Sequence, residues 1–181
     1  MRNIVIIVIC IIALQVKAQG LPSVAGVTFG QSYEQCKAEL DNRYNGGDSS
    51  LQSEKNTLYY YDIMFAGEYF SCAIFYFQSC EYHSYLYYIN FQKGFDLDEL
   101  QLAKKKRDRL LNIYKKKYDY RWSGLADNGL KYYVLGHAWD NADKGFIVID
   151  CDKTKTVSGK MKYWTNVYYG PINFIDPTSE I

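Results

Sequence analysis

The chain has 181 residues, with 21 Lys and Arg against 20 Asp and Glu, 17% aromatic residues and 3 prolines. So many large apolar side chains exclude a disordered chain, and so even a charge balance excludes the broad basic field that gathers nucleic acid or anionic membranes. The length suits one domain that can bury a core without a disulfide scaffold.

At the start, Arg2, an apolar run from Ile4 to Leu14, and Val16-Lys17-Ala18 before Gln19 predict a secretory signal peptide over residues 1–18, cleaved between Ala18 and Gln19. The run is shorter than the roughly 20 apolar residues that a bilayer crossing needs. Cys10 lies inside it rather than at a lipidation site. Processing removes Arg2 and Lys17, which moves the formal charge from +1 to −1. The expected product is secreted or periplasmic, has no stable membrane insertion, and comprises residues 19–181 as a single α+β domain.

Gln19 to Gly30 reads as an extended lead-in. Ser32 and Gln35 then form a capping-box pattern for a helix to about Asn42. Asn45 to Ser50 is dense in turn formers. From Thr57 to Phe91, Tyr, Phe, Ile and Leu predominate, broken at Ala66-Gly67-Glu68 and Gln78-Ser79, which predicts a three-stranded meander. Asp96 and Glu99 repeat the capping pattern, and Leu97, Leu100, Ala103, Leu110 and Tyr114 keep helical spacing to about Tyr118. After Asp127-Asn128-Gly129 come three more expected strands, Lys131 to Trp139, Phe146 to Cys151 and Lys162 to Tyr169, separated by turns at Asp140 to Gly145 and Ser158-Gly159.

The predicted order is therefore helix, three strands, helix, three strands. Its simplest architecture is a six-stranded antiparallel sheet with both helices on one face. Simple alternation puts Tyr85, Tyr87, Ile89 and Phe91 on one side of their strand, and Leu86, Tyr88 and Asn90 on the other. Both sides carry aromatic residues, so one set builds the core and the other is exposed, covered by another element or used to grip a partner.

Phe29-Gly30-Gln31-Ser32-Tyr33-Glu34, continuing to Leu40, resembles the opening of small periplasmic domains of the BamE-type assembly lipoproteins and of the β-lactamase-inhibitor-protein fold. There a glycine precedes a short capped helix that lies on an antiparallel sheet. This chain departs in lacking a lipid-bearing cysteine and in carrying Asp41 after Leu40. The resemblance implies a noncatalytic envelope domain that works by binding, and it carries over no site residue.

Chemistry-bearing residues are few. Cys36, Cys72, Cys80 and Cys151 remain after processing; a bridge from Cys36 to Cys80, or else to Cys72, is the favoured pairing, against four buried thiols. Cys80 and His83 have zinc-compatible spacing but no second pair, so no metal site is expected. His137 reads as a strand residue, and Asp140 to Gly145 lacks the oxygen ligands of a calcium loop. No phosphate-cradling glycine motif and no nucleophile elbow occurs, so no cofactor is expected. Asp150 and Asp152 project to one face of a strand about 6.6 Å apart, a spacing at which a carboxylate pair is conceivable. Eight cations from Lys104 to Lys117 gather on the second helix, where a solvated face or an anionic partner would account for them.

Two classes of function follow. One is a noncatalytic binding module that grips an envelope protein or a glycan with aromatic residues, Tyr85, Tyr87 and Trp164 foremost. The other is a hydrolase of envelope or extracellular polymers that uses Asp150 and Asp152.

Overall fold

The computed structural model describes residues 20–44, 56–80, 83–137, 145–156 and 158–172; the expected leader with its Ala18–Gln19 junction, the Asn45 to Ser50 loop, and the side chains of Cys80 and His83 lie outside the described residues. Two short strands, β1 (Ser23–Val24) and β2 (Val27–Thr28), pair with each other and lead to helix α1 (Tyr33–Tyr44). Three long strands follow, β3 (Thr57–Phe65), β4 (Glu68–Cys80) and β5 (His83–Phe95), then helix α2 (Leu100–Tyr114). The chain continues through β6 (Tyr120–Leu125), β7 (Lys131–Leu135), β8 (Ile147–Lys155) and β9 (Met161–Tyr169). The fold is α+β, and its main sheet is antiparallel with seven strands in the order β3-β4-β5-β9-β8-β7-β6.

The expected repeat of three strands and three strands is not the arrangement found. Four strands follow α2, because the helix ends at Tyr114 and the chain after Tyr118 extends as the edge strand β6. The two meanders meet where Ile89 to Phe95 of β5 pairs with Tyr163 to Tyr169 of β9.

Local chemistry fixes the ends of these elements. At α1 the capping box closes in both directions: the Gln35 amide donates to Ser32 Oγ at 3.3 Å, and the Ser32 amide to Gln35 Oε1 at 3.1 Å. At α2 only half of the pattern forms, with the Asp96 amide donating to Glu99 Oε2 at 2.8 Å. The Asp96 carboxylate turns instead to Lys160 at 2.9 Å. Ala66 and Gly67 join β3 to β4 with φ of 52° and 75°, the left-handed pair that matches the twist of a tight hairpin.

Core formation follows from the strand alternation. Tyr60, Phe70, Phe75, Ile89, Phe91, Ile147, Val167 and Tyr169 point to one side and form a single apolar cluster with Cys36 and Leu40 of α1 and Leu110, Leu111 and Tyr114 of α2. Phe91 sits at its centre, stacked on Phe65 with centroids 4.2 Å apart and edge-on to Phe75 and Tyr169. Burying such a ring contributes about 2–3 kcal/mol. Buried tyrosines here bring partners for their hydroxyls: Tyr60 donates to Asp41 at 2.7 Å, and Tyr169 to the Tyr114 hydroxyl at 2.6 Å. Thr165 ties the second helix down by donating to the Ala103 carbonyl at 2.8 Å.

Candidate functional site

Register places nine residues of β8, β9 and β5 in a grid on the face turned away from the core. Its rows are Val148, Tyr168 and Asn90; Asp150, Asn166 and Gln92; and Asp152, Trp164 and Gly94. Tyr76 and Tyr88 extend the grid on one flank, with Tyr88 stacked on Tyr168 at 5.7 Å and 14°, and Tyr76 tilted against Tyr88 at 5.4 Å. The third row depends on Gly94: a Cβ there would lie 3.0 Å from the Trp164 ring, so the indole settles over a strand position without a side chain.

A polar centre lies inside this aromatic frame. Asn166 donates to Asp150 Oδ1 at 2.8 Å. The side-chain oxygens of Asn90 and Asn166, residues only 3% and 2% exposed, have no hydrogen-bond partner among the described residues. Buried acceptors without donors are costly, by about 1–3 kcal/mol each. Burial pushes the Asp150 carboxyl up to about 6; the Asn166 hydrogen bond opposes this and the Asp152 charge reinforces it. The Tyr88 and Tyr168 hydroxyls are held above their ordinary value, mainly by burial, and stay neutral hydrogen-bonding groups. Asp152 accepts from Asn128 at 3.3 Å and from the Lys153 amide at 2.6 Å.

Several predicted site residues meet here. Asp150, Asp152 and Trp164 share the grid. Tyr85 and Tyr87 lie farther along β5, at the end where a bulge breaks the alternation: Tyr76 pairs with Tyr88 but Phe77 with Leu86. The extra residue leaves Leu86, Ile89 and Phe91 all in the core, with Tyr87 and Tyr88 adjacent between them, their rings 6.2 Å apart. Simple alternation along this strand is thereby corrected. Asn90, Asn166, Tyr88 and Tyr168 are site residues that the sequence did not single out. A signal existed in two asparagines within strongly apolar strands.

The cysteines separate rather than converge. Cys36 and Cys72 are buried free thiols, and no bridge joins them. Cys36 belongs to the core beneath α1, whereas Cys72 lies across from Gln92 on the opposite face, so the sheet stands between them. Burial pushes both thiols up to about 12, far from a reactive thiolate. His137 is exposed, with Nε2 3.5 Å from Arg121 Nη1. Among the described residues no cluster of three metal-ligating side chains occurs, and no helix is long and apolar enough to cross a membrane.

Part of the basic helix is structural. Arg107 is 6% exposed, donates to the Lys131 carbonyl at 2.9 Å and lies over the Tyr133 ring. Lys106 and Arg109 reach the buried carboxylate of Glu68 at 2.5 and 2.6 Å. Burial alone would raise the Glu68 carboxyl, but these two hydrogen-bonded cations hold it below its ordinary value. Comparison with protein families, with curated proteins and with solved structures finds no match.

Proposed function

We propose that the protein is a secreted or periplasmic noncatalytic binding module, and that the grid of β5, β9 and β8 is its ligand surface, taking a glycan. The supporting observation is the pair of donor-less amide oxygens of Asn90 and Asn166 beside the Asp150 carboxylate, framed by Tyr88, Tyr168 and Trp164. Three neighbouring acceptors favour a ligand rich in hydroxyl donors. Flat aromatic rings supply the apolar contact that a sugar's C–H faces use, with little rotamer entropy to lose. A protein partner would need a larger continuous patch, whereas the polar centre suits a small, multiply hydroxylated unit.

A calorimetric titration of the protein with a panel of soluble oligosaccharides tests this. At least one sugar is expected to give a saturable change that Trp164→Ala abolishes and Asn166→Ala weakens by about tenfold, the value of one lost buried hydrogen bond. Saturation unaffected by both substitutions would place the site elsewhere.

A second reading, hydrolysis of extracellular or envelope polymers, draws on Asp150 and Asp152 sharing that face and on the raised Asp150 carboxyl, which suits a general acid. Chromatography of the same mixtures separates the two: intact oligosaccharide supports binding alone, and fragments that vanish in Asp150→Asn support the enzyme.

A further inference from the structure

We propose that a second site, on the helix-bearing side of the sheet, binds a small free amphiphilic anion with one negative head and a short apolar body. A cleft of about 350 Å³ opens between α2 and the ends of β4 and β5. That size falls within the range of small-molecule sites. Its composition is divided. Leu102, Tyr69 and Phe95 form apolar walls, and Leu102 and Tyr69 are 51% and 39% exposed, which leaves apolar surface in water beside charge.

Cations outnumber acids around this space. Leu102, Lys105, Lys106 and Arg109 lie three to four residues apart, so one stripe of α2 faces the cleft. Glu68 at its floor engages Lys106 and Arg109 and thereby fixes two of the cations in place. Lys93 and Lys105 complete the lining and form no ion pair among the described residues; Lys93 lies instead over the Tyr69 and Phe95 rings, 4.5 and 5.9 Å from their centroids. Four cations thus face one carboxylate, and Lys93 and Lys105 are the two that Glu68 does not engage. A head group on Lys93 and Lys105 leaves its apolar body against Phe95, Tyr69 and Leu102. A bare inorganic anion would leave these walls wet, and a neutral apolar molecule would leave two ammonium groups uncompensated.

Isothermal titration of the full chain with monomeric sodium decanoate tests the assignment, with inorganic phosphate, decanol and phosphatidylglycerol vesicles as parallel arms. Decanoate is expected to bind saturably at one site, and Lys93→Ala combined with Lys105→Ala to weaken it at least tenfold with an unchanged melting temperature. Leu102→Ser is expected to weaken decanoate while leaving any phosphate binding unaltered. The assignment is overturned by no saturable decanoate binding, by phosphate or decanol binding as tightly as decanoate, or by vesicles binding when decanoate does not.

Discussion

The two faces of the sheet are made by the same strands and have opposite chemistry. On the core side stand phenylalanines, and the tyrosines Tyr60 and Tyr169, whose hydroxyls meet Asp41 and Tyr114 inside the protein. On the other side stand Tyr76, Tyr88, Tyr168 and Trp164, with Asn90, Asn166 and Asp150 among them. Both faces carry rings; their polar atoms differ. Tyr60 and Tyr169 of the core face have matched their hydroxyls internally, and only the Tyr44 hydroxyl of α1 beside them lacks a partner among the described residues, while the grid sets two such acceptors, Asn90 and Asn166, around one carboxylate. Aromatic content alone therefore does not separate the two faces; the polar atoms grouped between the rings do.

The strongest way to break this comparison is to remove one ring from each side. Phe91→Ala is expected to cost about 3–5 kcal/mol in urea unfolding, as a central ring leaves a cavity that its neighbours cannot refill. Tyr88→Ala on the grid should cost less than half as much and act chiefly on ligand binding. Equal destabilisation by the two would make the grid a second core.

A pH measurement sharpens the polar side of it. The folded protein holds the Asp150 proton up to about 6, against 3.8 for an ordinary aspartate. Between those values the native state binds more protons than the unfolded chain, so this residue's contribution to stability declines as pH rises through the window and is constant above it. Asp150→Asn should remove that decline and unfold about 1–3 kcal/mol later than the native protein at pH 7, while matching it near pH 3. A stability difference independent of pH would refute the burial assigned to this carboxyl.

The smallest effect is expected at Gly94. Its backbone has ordinary negative φ, so Gly94→Ala disturbs the Trp164 ring 3.0 Å away rather than the strand. A shifted tryptophan emission with under about 1 kcal/mol lost would show that this row is set by side-chain fit.

Much of the fold could be read from residue order because its signals are local. Ser32 and Gln35 announce α1 and close their box, and Ala66-Gly67 marks the hairpin that it forms. The strand β6 was not legible: Tyr120 to Leu125 follows three lysines, lies at the sheet edge and is partly or largely exposed throughout, so burial leaves no alternating apolar mark. The site was legible only in pieces. Asp150 and Asp152 share a face by strand geometry alone, and Trp164 stood out by its type. Uniting them with Asn90 requires the β5–β9 register, a pairing between residues 68 to 80 positions apart that no local pattern encodes. The bulge at Tyr87 and Tyr88 is equally silent, since one extra residue exchanges the faces without changing composition.

That β5–β9 ladder has a mechanical consequence. It is the seam along which the first meander is stitched to the second, and the grid straddles it with Asn90 and Gln92 on one bank and Asp150 and Asp152 on the other. A molecule held across the grid is a rivet through that seam. Pulling the chain from its two ends should therefore require more force to part the meanders when the grid is occupied, so that single-molecule stretching would report occupancy as a tensile load.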